Sequence, residues 1–252
     1  MGVAIVTGAQ RGLGKAIALA LAKEGYDIAA VDLEGNAALE EVVSQCKAMK
    51  VKAVGLSCDI GDLTTHQQML AAAEAALGPL TTLVNNAGVS VKSRGDLLEV
   101  TPAAYDYCLN INTRGTFFLT QAFAKRMRDT ATTCHRSIIT ITSANATAVS
   151  IARGEYCISK AGASMMSKLF AARLSDEDIG VYEIQPGVID TDMVKPSRVK
   201  YEALIELGLT TIKRLGTPEE VARIVVTLAN GLLPYTSGQA IQADGGLSTV
   251  RF

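Results

Sequence analysis

Histidine is almost missing from this chain. His66 and His135 are the only two in 252 residues, too few for a cage of imidazoles, and no metal is expected. The five cysteines, Cys46, Cys58, Cys108, Cys134 and Cys157, are an odd set without a Cys-x-x-Cys pair. That argues against a disulfide framework and a zinc site, and buried thiols in a reducing compartment are the expectation. An excess of one charge is lacking too: 24 Lys and Arg stand against 25 Asp and Glu, a net charge of −1. Without a basic bias, no nucleic-acid partner is expected. No apolar stretch is long enough to span a bilayer, so no membrane partner is expected either. The opening "MGVAIVTGAQ" has no basic leader, and Val6 stands where a myristoylation signal needs Ser or Thr. A cytoplasmic location is expected. Linkers rich in Pro, Gly or Ser, low-complexity tracts and repeats are absent, so residues 1–252 read as one domain.

What is present is apolar: 48% hydrophobic residues against 19% charged, enough for a large core. Short β-branched runs at 3–7, 27–32, 51–57, 81–85, 137–143, 181–186 and 240–243 alternate with helical segments near 12–24, 36–49, 63–76, 102–128, 154–175 and 218–230. Several runs are apolar at nearly every position, as strands buried on both faces should be. The alternation predicts an α/β fold, a doubly wound parallel sheet with helices on both faces. Pro102 and Pro218 each follow a Thr able to cap a helix N-terminus. Two stretches, 86–101 and 187–200, read as irregular chain after the ends of strands, where such sheets bind ligands.

"VAIVTGAQRGLGKAIALALAKEG" places a strand, then Gly8, Gly12 and Gly14, then an amphipathic helix. Glycines let the backbone turn tightly and approach a diphosphate, and the helix N-terminus offers free N–H groups. Asp32 ends the next strand, about twenty residues on, where a carboxylate can accept hydrogen bonds from an adenosine ribose and repel a 2′-phosphate. NAD is therefore preferred, and Arg11, which could reach a 2′-phosphate, keeps NADP open. Further along, "GEYCISKAG" sets Tyr156 and Lys160 four residues apart, on one face of a helix. An ammonium beside a phenol favours the phenolate and is expected to lower its pKa from about 10.

The spacing Thr-Gly-x-x-x-Gly-x-Gly from Thr7 to Gly14, "CDI" with Asp59, "NNAG" at 85–88, "NINTRGTF", "ITS", "YCISK", "PGVIDTDM" and "DGG" at 244–246 occur in this order. Together they resemble the short-chain dehydrogenase/reductase family along nearly the whole chain. The resemblance implies a single-domain Rossmann fold with strand order 3-2-1-4-5-6-7 and a mobile substrate lid at about 190–212. It implies a homotetramer packed through the helices at 102–128 and 154–175. The cofactor would be held by Gly8, Gln10, Arg11, Gly12, Leu13, Gly14, Asp32, Asp59, Ile60, Asn86, Ala87, Gly88, Tyr156, Lys160, Pro186, Gly187, Ile189 and Thr191. Catalysis would fall to Asn112, holding a water that links Lys160 to solvent, Ser143, donating to the substrate oxygen, Tyr156, moving the proton, and Lys160.

The implied reaction interconverts a secondary alcohol and a ketone of a small-molecule substrate. "TGAQRGLG", "PGVIDTDM" and "RLGTPEEVA" resemble the 3-oxoacyl-[acyl-carrier-protein] reductases of that family. Three features depart from them: Asp32, Tyr182 in place of a usual Asn, and the acidic run Asp176, Glu177 and Asp178 beside Arg173, where an acidic carrier protein would dock. The alternative is a catabolic NAD-dependent dehydrogenase of a sugar, polyol or other secondary alcohol. Val89, Ser90, Val91, Ala144, Asn145, Val149, Arg153, Met193, Tyr201, Leu204 and Leu207 are expected around the substrate. Lys195, Arg198 and Lys200 give the lid a basic cluster that would draw an anion. A non-catalytic dinucleotide-binding scaffold is a third reading, disfavoured because all four catalytic positions are filled.

Overall fold

All five residues of the first strand, β1 (Val3–Thr7), are buried, and its side chains feed two different cores. Ala4 and Val6 join one cluster, Val3 and Ile5 the other, as the two-residue period of a strand requires. The computed structural model that shows this describes residues 1–250. Six more strands complete the sheet: β2 (Asp27–Asp32), β3 (Ala53–Ser57), β4 (Leu80–Asn85), β5 (Arg136–Ile141), β6 (Ile179–Pro186) and β7 (Ala240–Ala243). They pair in parallel throughout, in the expected order β3-β2-β1-β4-β5-β6-β7. One face is covered by α1 (Gly12–Lys23), α2 (Ala37–Ala48) and α8 (Pro218–Ala229), through residues such as Ile17, Leu21, Val42 and Val225. The other is covered by α3 (His66–Leu77), α5 (Thr116–Arg128) and α6 (Gly154–Leu174), through Leu70, Leu119, Phe123 and Ala171. Strand order reverses between β1 and β4, and ligands of such sheets lie outside the strand ends at that point.

The caps read from the sequence are present. The Thr101 hydroxyl accepts from Ala104 N at 3.3 Å at the start of α4 (Pro102–Leu109). Thr217 and Glu220 form a reciprocal capping box on α8.

The helix predicted over 102–128 is not continuous. Between α4 and α5 lies a π-helical segment, Asn110–Gly115. Tertiary contacts explain the opening. A Cβ on Gly115 would sit 2.1 Å from the Ile60 carbonyl oxygen, so the backbone lies flush against that loop. Asn112 is meanwhile turned inward to bond Val89 and Ser159. One extra residue in the turn reconciles the two demands.

The stretch predicted irregular over 187–200 ends in a helix, α7 (Arg198–Glu206), with an Arg198–Glu202 pair at 2.8 Å one turn apart. Among the described residues no helix is long and apolar enough to cross a membrane.

Candidate active site

An open cleft of about 650 Å³ runs along the strand ends at the switch point. Gly8, Gln10, Arg11, Gly12, Leu13 and Gly14 line its floor, and Asp32, Asp59 and Ile60 line one end. Asn86, Ala87, Gly88, Pro186, Gly187, Ile189 and Thr191 line the middle, with Ser143, Tyr156 and Lys160 beyond them. The residues assigned to the cofactor from the sequence thus share one cavity. Asn112 is not on its wall but stands behind it.

The glycine loop fits an anion. Gly8 (φ +66°) and Gly12 (φ +52°) occupy the left-handed region, and a Cβ on Gly14 would lie 2.0 Å from the Gly8 carbonyl oxygen. No side chain caps α1, and no acidic residue occupies its first turn, so the N–H groups and the positive end of the helix dipole face the cleft uncompensated. These features suit a dinucleotide's diphosphate. Thr7, unassigned in the sequence, braces the loop: its hydroxyl accepts from Asn86 N and Ala87 N, each at 3.0 Å. Asn86 is itself a brace, donating through Nδ2 to the Thr7 and Gly8 carbonyls at 2.8 and 3.2 Å. The signal for Thr7 was its place at the strand end, immediately before the first glycine.

Asp32 stands at the end of the cleft formed with Asp59 and Ile60. Its carboxylate accepts from Gln10 N at 3.0 Å and Leu33 N at 2.9 Å. Each oxygen keeps a lone pair for a further donor. Arg11 is exposed, and its charge acts on Asp192 across the cleft, where Lys195 is the stronger influence holding that carboxyl below its usual range.

Ser143 stands two residues past the end of β5 rather than on it. It caps a short turn, Ala144–Ala146, with its hydroxyl accepting from Asn145 N at 3.1 Å. Tyr156 and Lys160 lie one turn apart on α6, both buried. The Lys160 ammonium donates to the Ile141 carbonyl at 3.2 Å, which ties α6 to the end of β5. Asn112 accepts through Oδ1 from Val89 N at 2.8 Å and donates through Nδ2 to Val89 O and Ser159 Oγ, each at 2.9 Å. Both N–H bonds of the carboxamide are thereby used, so a water between Asn112 and Lys160 would be held by an oxygen of Asn112. A Cβ on Gly88 would lie 3.0 Å from Asn112 Oδ1 and 3.4 Å from Lys160 Nζ, so a side chain there would crowd Asn112 and touch Lys160.

The electrostatics correct one expectation. Burial pushes the Tyr156 phenol up rather than leaving it lowered, and the chief opposing influences are the Ser143 hydroxyl and the Arg153 guanidinium. Arg153 is the nearer cation, 5.1 Å from the ring centroid against 5.8 Å for Lys160 Nζ. Lys160 is itself pulled down to about 8 by burial, opposed chiefly by the charge of Glu183. Desolvation dominates both groups.

The segment at 190–212, expected as a lid, is less basic in effect than its composition suggests. Lys195 pairs with Asp192 at 2.5 Å, and Arg198 with Asp190 at 2.6 Å and Glu202 at 2.8 Å. Beside the phenol, Arg153 donates to the Asn145 carboxamide oxygen at 2.6 Å. Val89, Ser90, Val91 and Met193 line the cleft as expected; Ala144, Asn145, Val149, Arg153, Tyr201, Leu204 and Leu207 lie off its immediate wall.

The comparisons with known proteins agree with this geometry. Residues 8–248 match the family model described as enoyl-(acyl carrier protein) reductase. The chain is similar to a 3-oxoacyl-[acyl-carrier protein] reductase from Brucella melitensis solved in complex with NAD: 40% identical, TM-score 0.96, covering 100% of this chain and 98% of that one. It is 35% identical to the acetoacetyl-CoA reductase of Shinella zoogloeoides, over 97% of both chains. It is 33% identical to the D-threitol dehydrogenase of Mycolicibacterium smegmatis, over 97% of this chain and 92% of that one. A family match over nearly the full length, joined to a glycine loop and a Ser-Tyr-Lys cluster in one cleft, has one reading: the chain belongs to the short-chain dehydrogenase/reductase family, NAD(P)-dependent oxidoreductases that interconvert alcohols and ketones.

Proposed function

We propose that the enzyme works with NAD on a small secondary alcohol or ketone of the 3-hydroxyacyl and 3-oxoacyl type. Tyr156 moves the proton, Ser143 holds the reacting oxygen, and Lys160 works beside the phenol. The observation that carries this reading is that Ser143, Tyr156 and Lys160 line the same cleft as the glycine loop. A nicotinamide dinucleotide supplies or accepts the hydride when bound. In reduction the phenol gives its proton to the carbonyl oxygen as negative charge develops there, and the Ser143 hydroxyl donates a hydrogen bond to that oxygen. In oxidation the same phenol, ionised, takes the hydroxyl proton. Gly8 to Gly14 would hold the diphosphate, and Asp59 and Ile60 the adenine. Pro186, Gly187, Ile189 and Thr191 would hold the nicotinamide, Lys160 its ribose, and Asn112 a water leading from Lys160 to solvent.

Asp32 supports NAD over NADP, since a 2′-phosphate would meet its carboxylate. It also supports the second reading, a catabolic dehydrogenase of polyols or sugars, in keeping with the similarity to D-threitol dehydrogenase. An acidic carrier protein is disfavoured because Arg173 is paired with Glu177 at 2.8 Å. The lid at about 190–212 would close over the substrate through α7. The exposed Ile158, Met165 and Leu169 of α6 and Phe118 of α5 support a homotetramer packed through these helices.

The test is a panel read at the absorbance of the reduced cofactor. NADH with acetoacetyl and longer 3-oxoacyl thioesters is expected to be consumed, and NAD with polyols to be reduced more slowly. Reversal of that order establishes the second reading. Tight NAD binding with no turnover on any substrate would revive a scaffold role.

A further inference from the structure

Glu183 is a carboxylate in the middle of β6, a strand whose other residues from Val181 to Pro186 carry no charge. It is 1% exposed. A central strand of a parallel sheet normally has no use for a charge, because desolvating it is costly unless its oxygens are satisfied and a counter-charge is near. Its oxygens are satisfied here, in part by the segments that carry the active-site groups, and its charge acts on Lys160. Thr142 Oγ1 donates to Oε1 at 2.6 Å, Gln185 Nε2 donates to Oε1 at 2.9 Å, and Ser164 Oγ donates to Oε2 at 2.8 Å. Thr142 lies between Ile141, whose carbonyl receives the Lys160 ammonium, and Ser143. Ser164 follows Lys160 by one turn of α6, so Tyr156, Lys160 and Ser164 share a face. One buried carboxylate therefore clamps the segment that carries Ser143 to the helix that carries Tyr156 and Lys160.

We propose that Glu183 is a positioning residue of the active site: it fixes the spacing between Ser143 and the Tyr156–Lys160 pair and supplies the negative charge that keeps the buried Lys160 protonated. The surrounding groups leave that task to Glu183. On α4, the Cys108 thiol is pushed up to about 11 by burial and the nearby Glu155, and so is neutral near pH 8. On α6, Glu155 acts on Cys108, while Arg153, just before the helix, acts on Tyr156. The π-helical segment and the end of β5 present Lys160 with neutral groups, Asn112 and the Ile141 carbonyl. Glu183 is the leading charge that opposes the fall of the Lys160 pKa.

The sign of the effect follows. Ketone reduction needs the ammonium, so activity falls as pH rises through the Lys160 pKa, near 8. Removing that anion lets Lys160 lose its proton at lower pH, because an opposite charge favours the ammonium form. In Glu183→Gln the alkaline limb of the kcat/KM profile for ketone reduction is thus expected to move down by about one pH unit. In Ser164→Ala, which removes one arm of the clamp and keeps the charge, the limb is expected to stay while Tm falls. In Glu183→Asp the limb is expected to move less than in Glu183→Gln, in the same direction, with a larger loss in kcat than in NAD affinity.

A Glu183→Gln profile that superimposes on wild type, whatever happens to Tm, overturns the proposal. Should that variant not fold, Glu183→Asp decides: a limb at the wild-type position with kcat unchanged overturns it. The inference rests on reading Tyr156 and Lys160 as the proton-handling pair. Failure of that reading shows separately, as retained turnover in Tyr156→Phe with Glu183 intact.

Discussion

Replacing Tyr156 by Phe is expected to lower kcat about a thousandfold, within the usual range for removal of a positioned acid or base, while the NAD dissociation constant changes less than about threefold. The two effects separate because the substitution deletes one oxygen and keeps the ring. The ring is 7% exposed, packed near Arg153 and Lys160, and a phenyl group fills the same space. The glycine loop, Asp32 and the Asp59 segment lie elsewhere along the cleft and keep their geometry. What is lost is the proton at the reacting oxygen. Burial holds that proton on the phenol, so the free enzyme is poised as an acid for reduction, and oxidation should gain with rising pH. Initial rates in both directions, with NAD affinity from a binding titration, check this. Equal losses of affinity and turnover would make Tyr156 a structural residue.

Gly14→Ala is expected to abolish NAD binding, with affinity down at least about a hundredfold, and to destabilise the fold by about 1–3 kcal/mol, the usual cost of overpacking. The added methyl would lie 2.0 Å from the Gly8 carbonyl oxygen, 2.7 Å from Gly8 C and 2.6 Å from Asn86 Nδ2. Two of these are backbone atoms and cannot rotate aside. The third belongs to the carboxamide that holds the Thr7 and Gly8 carbonyls. Relief would require the loop to rise into the cleft, where the diphosphate is proposed to lie. Gly95→Ala is the matched control: nothing lies within 4 Å of a Cβ there, and Tm and NAD affinity are expected to be unchanged. Calorimetric titration with NAD and a thermal melt of both variants read the outcome.

Where the sequence succeeded, the determinants were local. The glycine spacing, Asp32 at a strand end and the four-residue step from Tyr156 to Lys160 each express a constraint within one strand–turn–helix unit. Their convergence in one cleft follows from the switch point of the sheet. What stayed hidden depends on contacts between distant segments. The π-helical opening at Asn110–Gly115 exists because Gly115 meets Ile60 and Asn112 meets Val89 and Ser159, and no periodicity within "NINTRG" encodes that. The rise in the Tyr156 pKa reflects burial, whereas the spacing showed only a neighbouring amine. Two of the three cations in the expected basic cluster, Arg198 and Lys195, are offset because Asp190 and Asp192 fold back onto them. Glu183 did carry a signal, a lone acid in an otherwise uncharged strand, but its partners Thr142 and Ser164 come from other elements.

On the proposed reading this cleft holds NAD by Asp32 at one end and a secondary alcohol by Ser143 and Tyr156 at the other. The most direct measurement is kcat/KM for NAD and for NADP with one 3-hydroxyacyl thioester, followed at the absorbance of the reduced cofactor. Turnover is expected, with NAD favoured at least about tenfold because a 2′-phosphate would meet the Asp32 carboxylate. Equal use of NADP, or tight NAD binding without turnover on any alcohol, would contradict it.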